Sequence, residues 1–127
     1  MKRLFLSLGL VVLAAVTVAC SGTAAQPPAS AGPVDPNAPV ITAQNMAFAP
    51  NSLDVTAGKA FSLTLDNKDA APHNVAIFTD SSASSPVSVG EIVSSGKATQ
   101  QVPALKAGTY FFRCDVHHDM TGTINAK

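Results

Sequence analysis

The chain has 127 residues, 46% of them hydrophobic and only 13% charged, with eight basic residues against eight acidic ones. That balance supplies neither a basic stripe for a phosphate backbone nor a cationic patch for anionic lipid, which argues against nucleic-acid binding and against electrostatic membrane binding. Three histidines, two cysteines and no tryptophan leave few residues for chemistry, and where they fall decides the reading.

The N-terminus comes first. Lys2 and Arg3 precede an apolar, uncharged run over residues 4–19, the pattern of a signal peptide. At about 16 residues the run is shorter than the roughly 20 that a membrane-spanning helix needs. Thr17-Val18-Ala19-Cys20 resembles a bacterial lipobox, in which small residues lead to a cysteine at the cleavage point. Residues 1–19 are therefore expected to be a lipoprotein signal peptide and Cys20 the lipid-modified N-terminus of the mature chain. Loss of Lys2 and Arg3 leaves six basic residues against eight acidic ones. Residues 20–39 then form a Ser, Gly, Ala and Pro tether that cannot bury a core, with a typical span of roughly 25 Å.

Residues 40–127 are enough for one β-domain and too few for two. Phe61, Leu63 and Leu65 alternate with Ser62 and Thr64, the period of a half-buried strand. Further on, Val75 and Ile77 share parity with His73, and Tyr110 and Phe112 share parity with Cys114, so His73 and Cys114 are expected on faces that abut the core. Turn signals fall at Ala57-Gly58, Asp66-Asn67, Ser94-Ser95-Gly96 and Ala107-Gly108, and residues 79–85 read as an exposed loop. No helix of usual length is evident. The expectation is an all-β, two-sheet Greek-key sandwich of seven to eight strands.

The last strand signal runs into Cys114-Asp115-Val116-His117-His118-Asp119-Met120, which sets a thiol, an imidazole and a thioether at three-residue steps. An extended strand rises about 3.3 Å per residue, so Cys114 and His117 would stand about 10 Å apart unless the chain turns at Asp115 and Val116. A turn brings both donors, with Met120, to a common point, and His73 supplies a further donor from upstream. Two His, one Cys and one Met form a soft set that points to one copper ion. A bound metal would also protect Cys114, left without a disulfide partner once Cys20 is acylated, from oxidation. Asp115 and Asp119 read as solvated loop residues, with Asp119 a possible oxygen donor in place of the Met120 sulfur.

The pattern Tyr110-x-Phe112-x-Cys114-x-x-His117-x-x-Met120, followed by Gly122, resembles the copper-binding loop of the cupredoxins, the amicyanin/plastocyanin-like small blue copper proteins, and its short three-step form is most similar to that of amicyanin and related members. Pro72-His73-Asn74-Val75 is similar to the family's other ligand motif, and Asn45-Met46-Ala47-Phe48-Ala49-Pro50 to its first strand. The resemblance implies His73, Cys114 and His117 as equatorial ligands, Met120 as the weak axial one, and Asn74 as a hydrogen-bonding tie between the two ligand loops. His118 stands where the family often has Pro.

A Cys-His-His set with an axial thioether suits both Cu(I) and Cu(II). The expected function is thus a one-electron carrier of the type 1 (blue) copper class, not an enzyme. It is expected as a monomer at the extracytoplasmic face of a bacterial membrane, anchored through Cys20 and docking transiently to a redox protein. The alternative is a protein that buffers or delivers copper, for which His118 and a mobile loop would be assets. A third class, an interaction sandwich without metal, leaves the clustering of all three His around one Cys without a reason.

Overall fold

The computed structural model describes residues 37–127; the expected signal peptide, Cys20 and most of the tether lie outside the described residues. Nine strands follow in order: β1 (Val40–Gln44), β2 (Ala47–Ala49), β3 (Ser52–Val55), β4 (Phe61–Asn67), β5 (Ala76–Phe78), β6 (Pro86–Val89), β7 (Gly96–Val102), β8 (Gly108–Arg113) and β9 (Thr121–Ala126). They form two sheets, ordered β2-β1-β4-β7 and β3-β9-β8-β5-β6. The all-β, two-sheet expectation holds. Two pairings are parallel, β1 with β4 and β3 with β9, and the others are antiparallel.

The sheets meet through a core that takes Ile41, Leu63 and Leu65 from one and Ile77, Phe112 and Ile124 from the other. Phe48 and Phe112 stack at a tilt, with ring centroids 5.6 Å apart. Gly122 is required by this packing: a Cβ there would run into the Phe112 ring and the Asn51 carbonyl. At the sheet edges, the Ser88 hydroxyl donates to the Gln101 carbonyl at 3.1 Å and links β6 to β7.

Three local expectations need correction. The segment from Asn45 to Pro50 is not one strand: Asn45 and Met46 adopt positive φ (53° and 58°) and turn the chain between β1 and β2, while the true first strand lies earlier. Only β2 lies within this stretch, with β1 ending at Gln44 before it and β3 beginning at Ser52 after it, and the strands number nine where seven to eight were expected. Asp66 and Asn67 lie inside β4 and not in a turn, because the turn begins one step later, where the Asn67 side-chain carbonyl accepts the Asp69 amide at 2.9 Å. The polar face of β4 is buried as well as the apolar one. Thr64 and Thr99 hydroxyls pair at 2.8 Å, and the Gln101 amide donates to the Ser62 hydroxyl at 2.9 Å, so cross-strand partners cover that face. The turn at Ala57-Gly58 and the exposed loop over residues 79–85 fall where expected, while of Ala107-Gly108 only Ala107 lies in the bend and Gly108 already opens β8.

Candidate metal centre

Two loops and one bridge converge at one end of the sandwich. His73 lies just before β5, held by a reciprocal backbone pair with Val93 at 3.0 and 2.8 Å, and not within a regular strand. Cys114 follows β8 directly. Its amide donates to the Met120 carbonyl at 3.0 Å, and the Met120 amide donates to the His117 carbonyl at 3.0 Å, closing the loop on itself before β9 resumes. The Cys114–Met120 bond brings the two ends of the loop together, and the Met120–His117 bond closes the turn at His118 and Asp119.

Within that frame the Cys114 Sγ lies 3.8 Å from Nδ1 of His73 and 3.8 Å from Nδ1 of His117, and the two nitrogens are 3.2 Å apart. A triangle with these sides has a circumradius of about 2.1 Å, against typical metal distances of about 2.0–2.1 Å to imidazole nitrogen and about 2.3 Å to thiolate sulfur. One ion at that point reaches all three donors. His73 and Cys114 are fully buried and His117 is half-buried. Met120 is buried and its main chain is bonded within the same loop, whereas His118 and Asp119 are exposed. The structure therefore brings His73, Cys114 and His117 together and leaves His118 outside.

Asn74 carries the contact between the loops. Its side-chain carbonyl accepts the Asp115 amide at 2.8 Å, and its amide donates to the Asp115 carboxylate at 3.0 Å and to the Gly90 carbonyl at 3.2 Å. Asp115 is thus not the free solvated residue expected from sequence but half of a two-point clamp. Its other oxygen faces the Arg113 guanidinium at 3.9 Å, itself stacked over the Phe78 ring.

Sequence reasoning missed Asp69. Its carboxylate lies 3.1 Å from His73 Nε2 and also accepts the Asn45 and Met46 amides at 2.8 and 3.0 Å. The Met46 amide first, then the Asn45 amide and His73, hold this carboxyl below the ordinary carboxylate value. A carboxylate only accepts, so Nε2 of His73 carries the proton and Nδ1 keeps its lone pair for a metal. The signal was available: a ligating His commonly gives its second N–H to a carboxylate, and Asp69 is the acid nearest His73 in the chain.

These donors sit on a recognisable chassis. The family model described as a cupredoxin-like domain matches residues 10–126, and the chain belongs to that family. No match is found among curated proteins. Among solved structures, auracyanin A, a "blue" copper protein of the green photosynthetic bacterium Chloroflexus aurantiacus, is similar with a TM-score of 0.62 at 19% identity, over 69% of this chain and 96% of that one. Amicyanin of Paracoccus versutus gives a TM-score of 0.59 at 23% identity, over 79% and 91%. A Cu(I) form of an amicyanin variant gives 0.58 at 26% identity, over 76% and 89%.

Proposed function

We propose that the protein is a type 1 copper protein that carries single electrons at the extracytoplasmic face of a bacterial membrane. The observation that carries this reading is the preformed triangle of His73 Nδ1, His117 Nδ1 and Cys114 Sγ, whose centre lies at metal-bonding distance from each. The nitrogen and thiolate donors fit copper, with the buried Met120 as the fourth donor. Copper, when bound, supplies a one-electron couple between Cu(II) and Cu(I).

The chain's own contribution is rigidity. Asp69 fixes the His73 ring, Asn74 fixes the Cys114 loop against the His73 loop, and the Cys114–Met120 bonds close the ligand loop. Donors that are already in place move little when the charge changes, which favours fast electron transfer. A clamped loop also favours the carrier reading over copper delivery, which calls for a loop that opens. Four protein donors leave no vacant position for a substrate, in keeping with a carrier and not an enzyme.

Two exposed apolar residues adjoin the ligands in the chain, Val116 directly before the half-buried His117 and Pro72 directly before His73. That surface suits brief docking of a redox protein to a monomer. Anchoring is assigned to acylation at Cys20, and no helix among the described residues is long and apolar enough to cross a membrane.

The test is the visible spectrum of the Cu(II)-loaded protein. An intense blue thiolate-to-copper band is expected at one copper per chain, and Cys114→Ser should abolish it; a band that survives that substitution would sink the reading. For the anchor, mass spectrometry of the mature N-terminus should find Cys20 acylated and the protein in the membrane fraction. An unmodified N-terminus on protein recovered only from the soluble exported fraction would contradict the assignment.

A further inference from the structure

We propose that Asp69 is a positioning residue that sets the reduction potential of the centre, acting through His73 to favour Cu(II). The inference rests on the copper reading above and deepens it. Its basis is a contrast between the two carboxylates that hydrogen-bond into the ligand loops, Asp69 to His73 and Asp115 to Asn74. Asp115 has a cation beside it, Arg113, at 3.9 Å. Asp69 has none: the neighbouring Lys68 is turned to Asp66 at 3.1 Å, and among the described residues the only basic group within 4.0 Å of Asp69 is His73 itself.

Asp69 is also built in. Two backbone amides aim at its two oxygens, Asn45 N–H at Oδ1 and Met46 N–H at Oδ2, and Oδ2 takes the His73 Nε2–H as well. Both amides come from residues at positive φ, so the turn between β1 and β2 presents two adjacent N–H groups to one side chain. His73 is fully buried, which keeps water from competing for its Nε2–H. A negative charge bonded to the far nitrogen makes Nδ1 a stronger donor. It stabilises the doubly charged ion more than the singly charged one, and so lowers the potential.

The experiment measures the reduction potential of the copper-loaded full chain and three variants. Asp69→Asn keeps an acceptor oxygen and removes the charge; it should raise the potential by at least about 59 mV, a tenfold change in the one-electron equilibrium. Asp69→Glu, which restores the charge, should stay within tenfold of the wild-type equilibrium. Asp80→Asn makes the same charge change in the exposed β5–β6 loop and should leave the potential close to the wild-type value. A smaller shift in Asp69→Asn, or an equal one in Asp80→Asn or Asp69→Glu, overturns the proposal.

A second readout does not depend on copper redox. In the Zn(II)-loaded wild type, the His73 Nε2–H proton should be a downfield resonance protected from solvent exchange. Rapid exchange there would overturn the proposal even if Asp69→Asn failed to fold. Absence of the blue band in the wild type would instead refute the copper reading, and this inference with it.

Discussion

At the scale of single residues, the centre depends on side chains that never touch the ion. Asn74 is the clearest case, being buried and making three hydrogen bonds, two of them to Asp115 across the gap between the ligand loops. Asn74→Ala would leave the Asp115 amide and the Gly90 carbonyl without their partners, at a cost of about 1–3 kcal/mol in unfolding free energy. Because the lost bonds join His73's loop to Cys114's, the ligand loop should also open more often, and a chelator should strip copper faster. Urea denaturation and the rate of copper loss to a chelator measure the two effects. Unchanged values in both would show that the backbone pairs of His73 with Val93 and of Cys114 with Met120 hold the site unaided.

At the scale of elements, legibility in the sequence follows the kind of interaction that places each residue. The ligand-bearing segments were legible because their signal is local: donors three residues apart after an alternating aromatic strand fix the β8–β9 loop, and the fold supplies the remaining distance. His73 is buried with Val75 and Ile77 as expected, but Asn74 and Ala76 of the opposite parity are buried too, so its position comes from the bridge to Val93 and not from strand alternation. Asp69 could not be read from a local pattern, since its role depends on the amides of Asn45 and Met46, 24 and 23 residues away in the chain. The same long-range bonds explain why the stretch from Asn45 to Pro50 reads as a single strand in the sequence. Asn45 tolerates positive φ, but Met46 does not in isolation, and the Asp69 carboxylate that holds both amides comes from outside the segment. Asp115 reads as solvated for the converse reason: a charged loop residue usually is, and its partner Asn74 lies 41 positions upstream.

At the scale of the whole molecule, three carboxylates respond alike to folding. The Lys127 and then Asn125 side chains hold Asp54 below the ordinary carboxylate value; the Met46 amide leads at Asp69, and the Ser82 hydroxyl and amide act on Asp80. An unfolded chain has none of these partners and titrates near about 3.9. Between the folded and unfolded values the unfolded state binds more protons, so stability falls as the pH falls. The contribution is fully present above the unfolded value and is lost as the pH drops through the folded values. All three groups lie near solvent, so each effect is small and screened, and the sum is what an experiment resolves. Urea midpoints of the copper-free protein should therefore be lower at about pH 3 than at about pH 6, with little change in slope. Replacing Asp54 and Asp80 together by Asn should flatten that decline while leaving the ligand end intact, since neither residue bonds to a ligand loop. A decline equally steep in the double variant would place the acid sensitivity elsewhere than in these two carboxylates.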